Sequence, residues 1–404
     1  MKLKKLFAVM AVAGLAAPGA AMATNGMFAS GYGMAANGMG GASAAMAEDT
    51  MGGANNPASM VFVGNRMDLG AYLFSPQRQA SVGGTQENSD ANYFVIPEFG
   101  YNKLISSNLS LGVSVYGNGG MNTDYAPLAG GSNLFHGAGN LGVNLEQMII
   151  APTLAYKINE RNSIGISPLI GYERFSAQGL QAFDQPGMSA NPTRMTNTGN
   201  DSAFGGGVRI GYMSKITQDL TFGADYSTKV SFAKMGKYSG LFAGQGGLDL
   251  PENFSVGLAY KIQPALTLAL DYERINYSGV SAIGDQSNVQ TQFGSSYGPG
   301  FGWQDVNVWK LGGEYQYNEH WLLRAGWNHG DDPITATNIG INVIAPGVIT
   351  DHFTMGASYL TGNGEWNASY IHGFNNSLSG NSAFGPTSIS MHQDIVGLSY
   401  AWKM

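Results

Sequence analysis

The chain predicts an all-β protein, a transmembrane 14-stranded antiparallel β-barrel with its own N-terminal segment inside the bore. Three observations predict it. Six times a tyrosine closing an apolar run meets a short polar turn, and a new alternating run starts beyond it. These tyrosines are Tyr101, Tyr156, Tyr212, Tyr260, Tyr315 and Tyr359, a spacing of roughly 50 residues that marks a repeated unit. Long Gly/Asn/Ser-rich stretches lie between them, so short connections gather at one end and long ones at the other, as membrane barrels require. Charged residues are only 12% of 404, yet no stretch after residue 23 approaches the ~20 apolar residues of a membrane helix.

The first 23 residues have the form of a secretory signal. Lys2, Lys4 and Lys5 supply the charge, Leu6 to Leu15 the apolar run, and Ala21-Met22-Ala23 a small-x-small cleavage site. Loss of three lysines takes the net charge from −7 to about −10. An acidic exported chain argues against nucleic acid as a partner. The sequence has no cysteine, so no disulfide is expected.

Residues 24–60 carry no strand pattern. They are rich in Gly, Ala and Met, including Met27, Met34, Met39, Met46, Met51 and Met60. The segment is too small for a domain but long enough to fill a wide bore, so it is expected to be a plug (the hatch), with 61–404 as the barrel.

The strands then follow by period-two alternation. Phe254, Val256, Leu258, Tyr260 and Ile262 share one face; Ser255, Gly257, Ala259 and Lys261 share the other. Leu220 to Tyr226, Leu266 to Tyr272 and Trp321 to Trp327 alternate likewise. The non-apolar face holds small residues and isolated charges: Asp225, Lys229, Asp271, Glu273, Lys310, Glu314 and Arg324. That suits a crowded lumen, where such charges pair across the barrel. Six short turns join twelve strands; Arg66 to Pro76 and Ile389 to Lys403 complete an even number that can close. The long connections are expected at 77–91, 117–142, 180–201, 233–251, 280–303, 330–350 and 376–388, facing away from the cell. Gly397, Tyr400 and Trp402 resemble the C-terminal signal read by the outer-membrane assembly machinery, with Lys403-Met404 added after the aromatic residue.

Asn25-Gly26-Met27-Phe28, Ser30-Gly31-Tyr32-Gly33, Gly38-Met39-Gly40-Gly41-Ala42, Glu48-Asp49 and Asn56-Pro57-Ala58 together resemble the hatch of the FadL family of outer-membrane transporters. Tyr116-Gly117-Asn118-Gly119-Gly120 lies where that family kinks its third strand. The resemblance implies a location in the outer membrane of a Gram-negative bacterium. It implies uptake of long-chain fatty acids or other hydrophobic compounds, such as aromatic hydrocarbons. The ligand would sit in the barrel beside the hatch and leave sideways into membrane lipid at the kink. On this reading Met27, Phe28, Asn56, Pro57 and Ala58 line the pocket, and Tyr116 to Gly120 form the lateral gate. Lys229 and Arg324 are candidate carboxylate contacts because they are cationic. A diffusion porin for polar solutes would not need a plug, and modest loops without repeats disfavour an adhesin or phage receptor.

No enzyme is expected. There is no Gly-x-Ser-x-Gly elbow, no phosphate-binding glycine loop ending in Gly-Lys-Ser/Thr, and no paired His spacing for a metal. No cofactor is expected either.

Overall fold

The computed structural model describes residues 25–404; the signal sequence and its cleavage site lie outside them. Fourteen antiparallel strands close into one barrel. They are β1 Arg66–Val82, β2 Phe94–Ser106, β3 Leu109–Tyr125, β4 Leu141–Lys157, β5 Asn162–Gln178, β6 Asp201–Lys215 and β7 Leu220–Ser227. The second half is β8 Asn253–Gln263, β9 Leu266–Ile275, β10 Val306–Gln316, β11 Trp321–Gly330, β12 Asp351–Leu360, β13 Gly364–Ser382 and β14 Gly385–Lys403. Closure is made by β1 against β14, in register from Arg66↔Lys403 to Val82↔Thr387.

Alternation decides which side chains meet lipid. Leu258, Leu270, Leu311, Val396 and Leu398 are exposed on the outer wall. Tyr156, Tyr260, Tyr315, Trp366 and Trp402 are exposed near the short-turn end, as an interfacial girdle should be. Their strand neighbours point inward, and Ala259, Ala269 and Ala401 are buried.

Three expected loops are wholly or partly strand instead. At 77–91, β1 runs on to Val82 and Thr85–Asn88 turns back to pair with it, because the Gly83-Gly84 turn closes a hairpin there. β3 runs on through 117–125, so the connection expected at 117–142 is only 126–140. The connection expected at 376–388 shrinks to two residues, 383–384, because β13 and β14 continue as a hairpin 19 residues long on each side. Their Gly, Asn and Ser content has a loop's composition, but pairing along one edge, 120–125 with β4 and 376–382 with β14, holds them extended. The wall is therefore uneven: β7 spans eight residues and β3 to β5 seventeen each. Over the low side the segments 228–252, 276–305 and 331–350 fold inward and bury Phe232, Tyr238, Leu241, Phe242, Ile283, Phe301, Trp303, Ile344 and Val348.

The hatch occupies the opposite half of the bore. It holds one short helix, α1 (Met34–Gly38), and 3₁₀ turns at Thr50–Gly53 and Pro57–Phe62. The lumen thus has two layers: hatch against polar wall towards the short turns, and apolar loops against apolar wall towards the long ones.

Candidate functional site

The wall is interrupted at one seam. β2 and β3 are paired from Ser106↔Leu109 up to Phe99↔Val115. Beyond that pair, among the described residues, the two strands share no rung. Phe94 to Glu98 stay paired to β1, and Tyr116 to Tyr125 to β4. Contact resumes only at the top, where Ser89 bridges Tyr125 and the Asp90 amide donates to the Asp124 carbonyl at 2.8 Å.

Two local causes are visible. Pro97 on β2 has no N–H to offer. On β3 the register with β4 slips by one residue between Gly117 and Gly120, so Asn118 and Gly119 together oppose Gln147 in a bulge. Gly119 has φ +66°, and a Cβ there would come within 2.8 Å of both the Met27 carbonyl and Gln147 Oε1. Only glycine fits that close approach. Gly117 to Met121 are all buried, which makes irregular backbone tolerable at membrane depth.

The hatch tip rests on this bulge. Tyr32 packs its ring on Tyr116, centroids 4.4 Å apart, and its hydroxyl donates to Asn118 Oδ1. Asn55 fixes the Tyr32 backbone, accepting from its amide at 3.2 Å and donating to its carbonyl at 2.8 Å. Met27 and Phe28 are buried in the same apolar cluster as Tyr116, Met121, Phe175 and Trp303. Tyr277, from an outer loop, pins the tip. The Met27 amide donates to its Oη at 2.7 Å, and that Oη donates to the Asn25 carbonyl at 2.5 Å. Burial pushes both phenols, Tyr32 and Tyr277, well above their ordinary range, so they remain neutral donors.

Asn56-Pro57-Ala58 stands elsewhere. Asn56 caps the following turn, accepting from the Ala58 amide at 3.0 Å, and donates to the carbonyls of Ala44 (2.7 Å) and Tyr212 (3.0 Å). Ser163 Oγ donates to the Ala58 carbonyl at 2.9 Å. Gly165 and Gly211 leave room for this docking: a Cβ at Gly165 would lie 2.3 Å from Pro57 C, and one at Gly211 2.1 Å from Asn56 Oδ1. The tripeptide therefore fastens the hatch to β5 and β6, whereas Met27 and Phe28 adjoin the bulge.

The two candidate carboxylate contacts are already engaged. Lys229 lies beyond β7 with its side chain 41% exposed, 3.0 Å from Asp249. Arg324 is buried and holds Glu48 of the hatch (3.0 Å), Glu314 (2.6 Å) and Ser358 Oγ (2.6 Å). The other lumen charges also serve the hatch or a neighbouring strand rather than reaching across the bore. Lys310 bonds the Ser30 carbonyl (2.7 Å) and Glu273 (2.8 Å). Arg209 bonds the Asn55 carbonyl (3.0 Å) and Asp225 (2.6 Å). Asp271 accepts from the amides of Ser43 (2.7 Å) and Ala44 (2.8 Å). Sequence reasoning quoted Tyr32 within its motif but gave it no role, and it missed Tyr277, Trp303 and Gln147.

The family model described as "Outer membrane protein transport protein (OMPP1/FadL/TodX)" matches residues 9–363. The chain belongs to this family. Members are outer-membrane transport proteins, and the closed barrel with an internal hatch is their fold. Solved relatives include the Pseudomonas putida toluene transporter TodX, 18% identical with TM-score 0.71, covering 94% of this chain and 100% of its own. A Pseudomonas aeruginosa FadL homologue is 17% identical with TM-score 0.72, covering 94% and 99%. The Ralstonia pickettii toluene transporter TbuX is 17% identical with TM-score 0.66, covering 93% and 99%. At these identities the likeness to solved structures shows the fold alone. No curated protein matches the sequence.

Proposed function

We propose that this member of the FadL/TodX family takes up hydrophobic small molecules and releases them sideways into the outer membrane through the β2–β3 seam. The observation that carries this reading is the coincidence of three features: an interrupted ladder, a glycine bulge and the hatch tip, all in contact. A hydrophobic solute gains about 0.8 kcal/mol per buried methylene, so it is retained by an apolar chamber and would be rejected by a water-filled pore. The apolar layer packed between outer loops and hatch, with Met27, Tyr116, Phe175 and Trp303, is the part of the lumen that would supply it. From there the exit of lowest cost leads to lipid, where burial is kept, and the seam is the place where no rung has to break. The downward route is obstructed by a hatch tied to the wall by buried charge pairs.

The solutes are neutral hydrocarbons, monoaromatics or long-chain fatty acids, and one observation favours neutral ones. The lumen cations described above are all paired with carboxylates or backbone carbonyls. The test is whole-cell uptake of labelled toluene and oleate by the variant lacking Gly119. Removing this one residue sets Asn118 opposite Gln147, which erases the slip and keeps the inward–outward alternation of Gly117 and Gly120 against β4. Uptake is expected to fall by about tenfold or more with the barrel folded; undiminished uptake refutes exit at the seam.

A further inference from the structure

A second recess lies outside the lumen, on the outer surface of β3, β4 and β5 near their loop ends. It is a cleft of about 520 Å³. Its floor consists of two rungs, Asn122↔Asn144↔Ser176 and Asp124↔Gly142↔Gln178, with Gly142 supplying the depth between its flanking side chains. Ala91 of the first outer loop and Asn197, Gly199 and Asn200 of the third wall it in.

Its depth in the membrane follows from the strands. On β5 the outward residues Ile164, Ile166 and Ile170 are exposed and apolar, and Tyr172 packs against Phe204 at 5.2 Å, an aromatic edge to the lipid belt. Beyond that edge the outward positions change character on all three strands: Arg174, Ser176 and Gln178 on β5, Glu146 and Asn144 on β4, Asn122 and Asp124 on β3. Ser176 is four residues past Tyr172, roughly 13 Å along the strand. That is the depth of lipid headgroups on the loop side of the membrane.

The chemistry of the lining selects a ligand class. Arg174 pairs with Glu146 at 2.8 Å, which uses both charges. Asp124 has no cation partner among the described residues. One of its oxygens accepts from Asn140 (2.7 Å) and Gln178 (2.9 Å), and its Oδ2 faces no protein donor. Asn122 and Asn144 bond each other, and Asn144 also donates to Glu146 at 2.7 Å, leaving Asn122 Oδ1 and Ser176 Oγ available. One unpaired carboxylate repels phosphate and carboxylate ligands. Amides, a hydroxyl and that carboxylate match neighbouring hydroxyl groups, which are donors and acceptors at once.

We infer that this cleft is a saccharide site that seats a neutral sugar ring, either the headgroup of a membrane glycolipid or a free saccharide. It shares β3 with the seam but does not depend on the transport reading, because the polar side chains it offers, Asn122, Asp124, Asn144, Ser176 and Gln178, lie on the outward face of their strands.

The test uses the full barrel folded in dodecyl dimethylamine oxide, a sugarless tail, titrated separately with dodecyl maltoside and with maltose. Retained ligand is read by native mass spectrometry. A sugar-dependent adduct is expected, and Ser176→Tyr, which fills the cleft, should weaken it by about tenfold or more, consistent with loss of a few hydrogen bonds. Asn144→Ala is the milder second variant should the tyrosine disturb folding, checked by heat-shift electrophoresis. Toluene uptake should be unchanged in both. Binding of dodecyl maltoside alone assigns the site to a membrane glycolipid; equal binding of maltose assigns it to a free saccharide. No adduct with either probe, or an adduct that both variants leave intact, overturns the inference.

Discussion

The β13–β14 seam and the β3 edge of the β2–β3 seam are both rich in Gly and Asn and each carries a bulge, yet the two seams behave oppositely. β13–β14 is rich in Gly, Asn and Ser, carries a slip between Gly373 and Asn376, and resumes pairing to the tip of the hairpin at Ser382↔Gly385. β2–β3 stops at Phe99↔Val115. A bulge alone does not open a wall. The difference lies in what stands behind and beside it. Gly373 is backed by side chains, Gln393 and His352 of the wall and Ile349 of an inward-folded segment. Gly119 is backed by Gln147 and by the Met27 carbonyl of the hatch, and the facing strand carries Pro97. At the open seam β2, β3 and the plug thus meet.

Five variants break or sharpen this contrast. Deleting Gly119 should have the largest effect on transport, the uptake loss of about tenfold or more given above. The matching deletion of Asn375 in β13 should leave uptake near wild type, and equal loss in both would erase the distinction between the seams. Arg324→Ala should have the largest effect on stability. It strands Glu48 and Glu314 without their cation, and breaking such a buried pair costs roughly 3–5 kcal/mol. Thermal unfolding in detergent should shift down and channel noise in planar bilayers should rise, while the preference between acids and hydrocarbons stays put. Tyr32→Phe removes one hydrogen bond at the bulge, worth about 1 kcal/mol, and keeps the ring on Tyr116. A several-fold change in uptake without a change in melting is expected; wild-type uptake would mean the contact only packs the tip. Lys229→Ala should do least. Its ion pair is partly exposed, such pairs contribute under about 1 kcal/mol, and uptake of oleate and toluene should both be unaltered. A selective loss of oleate uptake would restore Lys229 as a headgroup contact.

The barrel was legible in the sequence because period-two alternation and short tyrosine-flanked turns are local signals. The strand count, the closing pair and the inward hatch follow from them. The loop boundaries at 117–125 and 376–382 were not legible, since glycine and asparagine mark turns when alone and are held extended when a partner strand supplies the ladder. The bulge showed itself as Gly117-Asn118-Gly119-Gly120, but the unpaired stretch of β2 did not, because it depends on register between two strands. Tyr277 and Trp303 gave no signal at all: they sit in a non-periodic loop and act across some 250 residues of chain. Arg324 and Lys229 were chosen for charge, and charge alone does not say whether a cation is already paired.

The central claim is that solute passes from the apolar chamber to lipid between β2 and β3. Photolabelling tests it most directly: a lipophilic diazirine is equilibrated with the barrel in lipid vesicles, irradiated, and its adducts are mapped by mass spectrometry. Labels are expected on Ile96, Pro97, Tyr116 and Met121, along both edges of the seam. Labels concentrated on Asn56, Ser59 and Phe62, at the far end of the hatch, would place the route straight through the bore and contradict the account.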